Sequence, residues 1–511
     1  MAFRAIIKIC NLLLIHSALG DTDDFSSIVY PKLLQSRDED GRQILVIDDG
    51  LQLKLEKSSV LAKRFLYTTH EDGMEIHYHL DGEDLEKNLY HDSDKMASLL
   101  MSTEGGLRVE GIVGRNLRIR PLDARERSSE GDTGHLLYQV KERMPRAEDI
   151  LYAPGKEFEE GGANFVKPVH VDARQDQTTH TQPETRPEVA IMVDTAHTLT
   201  FKGKGEEKHK KIIEYFSVLM NAVNLKYTTL HYITVKLILS AILRQNKTVE
   251  KMYVNLYNDS DSLMNTYKTM NNLTAYVAAQ KDAFSPYDLL VLVTGRDLVS
   301  VYGGGTTSRG TSGLAFVGKV CDERYKVALV EDLPPTYDGV QTFAHEVGHT
   351  MGCVHDGAKA DASIPNHPGA INCSAAEKHV MTPVSAFDAL DEFSYCCSQQ
   401  MFVVYHLETS ACLTEETTTS VKTSTQLPGD LLSSADQYCK YQHPEHNETV
   451  KNMPNVQGGN RWQCAILCRL TKESSFMHLH RAPDGMPCEN GTAKVCINNK
   501  CVDYTSPPPE Q

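Results

Sequence analysis

His345-Glu346-Val347-Gly348-His349-Thr350-Met351-Gly352-Cys353-Val354-His355-Asp356 is the stretch on which the reading of this 511-residue chain turns. If it forms a helix, His345 and His349 stand one turn apart on one face, where two imidazole nitrogens can grip a single zinc ion. Glu346 then faces the water in the metal's open position. A carboxylate that accepts that water's proton and passes it to a leaving amine is what metal-assisted hydrolysis of an amide requires. Gly352 supplies the break after the helix. Without a Cβ it lets the chain turn back through a conformation other residues avoid, so His355 can become the third ligand.

HExxHxxGxxH resembles the metzincin zinc peptidases, and Asp356 after the third histidine is similar to their adamalysin (reprolysin) branch. The resemblance implies an α/β (α+β) catalytic domain, a mixed, mostly parallel twisted sheet with helices, with zinc held by His345, His349 and His355 and Glu346 as the catalytic base. Val380-Met381-Thr382-Pro383 resembles the family's Met-turn, in which Met381 packs beneath the imidazoles and the residues after it, Pro383 among them, wall the pocket for the side chain after the scissile bond. Asp356 is then structural, accepting hydrogen bonds from buried backbone and pinning the region of that turn. Leu314-Ala315-Phe316-Val317 matches the family's antiparallel edge strand, which holds an extended peptide above the metal. An ordinary strand with a covered edge is the alternative there. Glu188, Asp288 and Glu415 fall where adamalysins carry a structural calcium ion, although an amide is more usual at the last position. Hard oxygen ligands suit Ca²⁺, and a solvated acidic surface is the competing reading. The resemblance also pairs Cys321 with Cys412. Cys353, Cys373, Cys396 and Cys397 are left to form two bridges in an order that stays open, and Cys353 ranks low as a zinc ligand because three histidines already leave one position for water.

The flanking sequence supports a layered fold on its own pattern. Val189 to Val193 reads as a buried strand; Ile212, Phe216, Leu219 and Val223 recur at helical spacing. Ile233, Val235, Leu237 and Leu239 alternate as in a half-buried strand, and a second helix is expected around Leu263, Tyr267, Met270 and Leu273. Leu289 to Val293 is a continuous apolar run closed by Thr294-Gly295, which fits a covered central strand. Strands alternating with helices give a sheet with helices packed on it.

Arg4 and Lys8, an apolar run over residues 6–15, and Ala18 and Gly20 read as a signal peptide, residues 1–20. Cys10 leaves with it, so the 13 cysteines become an even set, as a disulfide-bonded extracellular protein needs. A net charge of -16 argues against a nucleic-acid partner, and no later apolar stretch reaches the length of a membrane anchor. Asn246, Asn258, Asn272, Asn372, Asn447 and Asn490 stand in glycosylation sequons. Residues 21–186 contain no cysteine and read as a β-rich propeptide with its linker. Gly111-Ile112-Val113, Leu117-Arg118-Ile119-Arg120-Pro121 and His135-Leu136-Leu137-Tyr138 resemble adamalysin propeptides, and cleavage in the polar stretch before residue 187 would release the enzyme. Family propeptides often silence the zinc with a cysteine. Here latency needs a steric plug or another ligand, for which His170, Asp172 and His180 are candidates against a reading as solvated side chains. Residues 187–413 form the catalytic domain, 414–426 a Thr/Ser-rich linker and 427–511 a small disulfide-rich domain with six cysteines. In that last domain Trp462-Gln463-Cys464 to Cys468 and Asp484-Gly485-Met486-Pro487-Cys488 to Cys501 resemble the Cys-rich module of thrombospondin-repeat adamalysins.

The layout resembles the secreted reprolysins of tick saliva. It implies a secreted zinc endopeptidase acting on extracellular proteins, with fibrin, fibrinogen or matrix proteins as the expected substrates. A secreted anti-haemostatic factor that binds host proteins through its Cys-rich module is the alternative, and chelator sensitivity separates the two.

Overall fold

The computed structural model describes residues 25–35, 43–71, 74–122, 132–140, 150–151, 182–302, 305–383, 390–414, 434–443, 451–452, 464–470, 477–483, 485–488, 494–497 and 500–503. The expected signal peptide, most of the Thr/Ser-rich linker, His170, Asp172, His180 and Glu415 lie outside these residues. The chain divides into two compact units, residues 1–56 with 90–141, and residues 57–89 with 142–511.

The first unit is a nine-stranded sheet built from short strands between Ser26–Val29 and His135–Gln139. Leu45, Leu53, Leu99, Val109 and Ile119 fill its core. The propeptide-like motifs form the antiparallel run Arg108–Gly114, Leu117–Pro121 and His135–Gln139.

The second unit holds an eight-stranded sheet. In chain order its strands are Leu61–Glu71 (β1), Met74–Asp81 (β2), Ile150–Leu151 (β3), Glu188–Val193 (β4), Ile238–Arg244 (β5), Leu289–Thr294 (β6), Gly313–Phe316 (β7) and Val327–Glu331 (β8). Across the sheet they run β3-β7-β8-β6-β4-β5-β1-β2. The β7–β8 and β1–β2 pairs are antiparallel and the rest parallel. The main helices are Gly205–Tyr227 (α1), Thr266–Ala279 (α2), Val340–Thr350 (α3) and Tyr395–Tyr405 (α4).

Successive strand residues point to opposite faces. Ala190, Met192, Leu290 and Leu292 share a core with Met270, Leu273 and Val277 of α2. The alternate residues Ile191, Val291 and Val293 are equally buried and point to the other face, where α3 lies on β7 and β8 and α1 on β5. Both faces are covered, which is why β6 is apolar from Leu289 to Val293.

Two local expectations are corrected. The alternating residues 233–239 do not form one strand: Thr234–Val235 pairs with Glu184–Thr185, and β5 begins only at Ile238. The carboxamide of Asn224 clasps both the N–H and the C=O of Leu237 at 2.8 Å, which interrupts the ladder there. Leu263 lies before α2, in the strand Leu263–Asn265, because Asn265 caps the helix by accepting the N–H of Lys268.

β1 and β2 come from well upstream of residue 187. β1 pairs along β5, with Leu61 opposite Leu239, Leu66 opposite Ala241, Tyr67 opposite Ile242 and Thr68 opposite Leu243. Phe65 and Tyr67 are fully buried, and Arg244 donates to the Thr69 hydroxyl at 2.9 Å.

Six disulfides join described cysteines. Cys321–Cys412 is the pair expected, and Cys353–Cys397 and Cys373–Cys396 settle the order left open. Cys439–Cys468, Cys464–Cys496 and Cys488–Cys501 staple the C-terminal region around a small core of Tyr438, Ile466 and Met486.

Candidate metal centre

The helix expected over the histidine motif is α3, and all of its residues are buried. Gly352 follows with φ +116°, and a Cβ there would stand 2.4 Å from Val404 of α4, so both the turn and the packing demand glycine. The chain then brings His355 back. His349 and His345 Nε2 lie 3.0 Å apart, and His345 and His355 Nε2 3.1 Å apart. His345 Nδ1 donates to the carbonyl of Val380 at 2.6 Å and His349 Nδ1 to that of Cys353 at 2.7 Å. A proton on each of these Nδ1 atoms leaves a bare lone pair on Nε2. Facing lone pairs cannot bond each other, so a cation between them fits the donor set, and all-nitrogen ligation at this spacing suits zinc. Cys353 is held in its disulfide and is no ligand.

Glu346 points away from this cluster's Val380 side and toward β7. Its carboxylate packs against Gly313, where a Cβ would come within 2.3 Å of Oε1. Beyond it, Leu314, Ala315, Phe316 and Val317 are buried, and Gly318 and Val320 tie the segment to the end of α3 by donating to the carbonyls of His349 and Thr350. β7 pairs with β8 on one side. On the other side Ile150 and Leu151 lie opposite Ala315 and Phe316, so β3 takes the place where an extended peptide was expected.

Met381 packs under α3: a Cβ on Gly348 would meet its sulfur at 2.7 Å. Pro383 is half-buried at the end of this turn. Asp356 holds the turn differently from the expectation. Its backbone N–H donates to the carbonyl of Met381 at 3.0 Å, whereas its carboxylate accepts from the Ser394 hydroxyl at 2.5 Å. Burial pushes this carboxyl up, against the pull of that hydrogen bond.

Sequence reasoning passed over the groups that aim α3. Asp332, one residue beyond β8, accepts from His197 Nε2 (2.8 Å), the Tyr215 hydroxyl (2.7 Å) and the N–H of Gly339 (3.0 Å), and so fixes the entry to the helix. Tyr227 of α1 donates to the carbonyl of Ala344 at 3.1 Å. His367 donates to the carbonyl of Gly352 at 2.8 Å and accepts the N–H of Asp361, and burial lowers its pKa. An acidic residue directly after an apolar strand was the one available signal, and it marked Asp332 only.

Of the three residues expected to hold calcium, Glu188 and Asp288 come together. Asp288 accepts the N–H of Glu188 at 2.9 Å and lies beside the Cys321–Cys412 bridge. Burial, reinforced by the Glu188 carboxylate, pushes Asp288 up to about 8, although the Glu188 N–H and Lys326 pull the other way. The folded carboxyl therefore holds its proton more tightly than the unfolded one, whose reference value is 3.8. Its contribution to stability is complete below that value and is lost as pH rises through about 8. The metal-free protein should lose melting temperature relative to Asp288→Asn across this window, and an opposite slope would contradict the assignment.

Residues 213–356 match the metallo-peptidase family M12B, reprolysin-like. A venom metalloproteinase of Olivierus martensii, BumaMPs1, is 24% identical over 380 residues, 73% of this chain and 88% of its own. The venom metalloproteinase antarease TserMP_A of Tityus serrulatus is 24% identical over 76% of this chain and 94% of its own. A Bombyx mori protein, "A disintegrin and metalloproteinase with thrombospondin motifs like", is 23% identical over 95% of this chain and 76% of its own.

Proposed function

Because this chain is a zinc metalloendopeptidase carrying a reprolysin-like M12B domain, we propose that it works outside the cell as a latent precursor that, once activated, cuts extracellular proteins such as fibrin, fibrinogen or matrix proteins. The observation that carries this reading is the convergence of three imidazole Nε2 atoms next to a glutamate that packs against β7. His345, His349 and His355 would hold zinc, which supplies a Lewis acid for the scissile carbonyl and makes a water acidic. Glu346 accepts the proton of the attacking water and returns it to the departing amide nitrogen. The Val380 and Cys353 carbonyls keep His345 and His349 in one tautomer and one orientation. Main-chain groups of β7 straighten the peptide by pairing with it.

Six disulfides suit an oxidising compartment, and no helix among the described residues is long and apolar enough to cross a membrane. Latency needs no cysteine in this reading. β3 and a substrate would compete for the same edge of β7, and both cannot pair with it at once. Structural calcium, held by Glu188, Asp288 and Glu415, belongs to the same proposal: two carboxylates pressed together favour a cation between them.

The test compares the full chain with a form cleaved between residues 151 and 186 and diluted until the N-terminal piece has left, each incubated with fibrinogen, fibrin and matrix proteins. The cleaved form should produce fragments that a zinc chelator abolishes. An effect on clotting that survives chelation, with the proteins intact, would favour a binding factor acting through the Cys-rich region.

A further inference from the structure

Helical geometry puts Gln341, His345 and Gly348 on one stripe of α3, since positions four and seven apart share a face. That stripe faces the turn at Val380–Met381: His345 bonds the Val380 carbonyl, and Gly348 abuts the Met381 sulfur. The neighbouring stripe faces β7, because Thr342 bonds Ser312 at 3.3 Å and Glu346 packs on Gly313. Gln341 therefore lies on the side of α3 that faces this turn, one helical turn before the first histidine.

Gln341 is 1% exposed, and neither Oε1 nor Nε2 has a hydrogen-bond partner among the described residues. Thr342, His345, His349 and Thr350 of the same helix bond Ser312, Val380, Cys353 and the carbonyl of Glu346 in turn, and the Glu346 carboxylate belongs to the proposed chemistry. A buried carboxamide without partners is costly, and a methionine or leucine of similar size would fill the place without that cost. The amide makes sense where its partner arrives with the substrate.

We propose, building on the endopeptidase reading above, that Gln341 is a specificity-determining residue whose carboxamide receives a Gln or Asn side chain on the carboxyl side of the scissile bond. One carboxamide offers the other a donor and an acceptor, so two hydrogen bonds close the pair and leave neither orphaned. A site built on such a pair discriminates strongly against an apolar side chain, which would leave the buried amide unpaired.

Matched peptides differing only in the residue after the cut (Gln, Asn, Leu or Met) test this with the active enzyme and its Gln341→Met variant. The wild type should cleave the Gln peptide with a kcat/KM about tenfold or more above the Leu peptide, and Gln341→Met should invert that ratio. The variant should also melt at a higher temperature, because an unpaired buried amide is gone. A wild-type preference for Leu or Met, an unchanged ratio in the variant, or a lower melting temperature would overturn the assignment and reveal an amide satisfied by water or by the fold. The wild-type ratio decides even if the variant fails to fold. Cleavage of the Leu peptide alone would leave the endopeptidase reading intact, whereas failure to cut these peptides or a pooled library would remove both.

Discussion

Glu346→Gln is expected to give a folded, zinc-loaded protein that hydrolyses peptides about four orders of magnitude more slowly than the wild type. The substitution keeps the size of a fully buried side chain and leaves the three ligand imidazoles in place. Their orientation depends on the Val380 and Cys353 carbonyls and not on Glu346. A carboxamide can neither take up the proton of the attacking water nor give it back to the leaving nitrogen. General acid and base assistance contributes roughly 10²–10⁴ in rate, and here one group would serve both transfers. Metal content, melting temperature and turnover on one peptide, measured together, decide the matter. Turnover within tenfold of wild type would remove Glu346 as the proton carrier. A parallel loss of zinc would show that the variant damaged the metal site.

Gly313→Ala should have the next largest effect, at a position that contributes no functional group. The new Cβ would stand 2.3 Å from Glu346 Oε1, 2.6 Å from its Cγ and 2.7 Å from its Cδ. All three belong to the glutamate side chain and none to the main chain, so the clash is relieved by turning that side chain rather than by moving the strand. The strand itself tolerates alanine, and pairing of residue 313 with Val330 needs only main-chain atoms. Catalysis responds differently from stability, because a displacement of about 1 Å in a catalytic group costs roughly 10²-fold in rate. The expectation is a kcat about a hundredfold lower with melting temperature and zinc content close to wild type. An unchanged kcat would show that Glu346 does not depend on the space at residue 313, and a collapse in melting temperature would make the effect one of folding.

These two substitutions also mark what could be read before the fold was known. The spacing of His345, His349, Gly352 and His355 encodes a local object, a helix and a turn, so one window of sequence suffices to place them. Leu289 to Val293 was legible for the same reason, since a strand covered on both faces is apolar throughout. Gly313 gains its meaning from a residue 33 positions away in the chain, against which no local pattern could set it. Gln341 looked like any polar helix residue until its burial was visible. Asp332 was hidden likewise, because its partners His197, Tyr215 and Gly339 come from three separate segments. The pairing of β1 with β5 joins segments about 175 residues apart, and strand periodicity says which face is buried but not who the neighbour is.

In the latent precursor proposed above, that pairing bears on how activity would be switched on. A cut between residues 151 and 186 breaks one covalent link and none of the contacts that hold Phe65, Tyr67 and Thr69 against β5. The severed N-terminal piece then remains as a docked subunit whose departure is an equilibrium, governed by its own affinity and by dilution. Processing and unmasking become separate events with separate controls: the first answers to whichever protease makes the cut, the second to concentration.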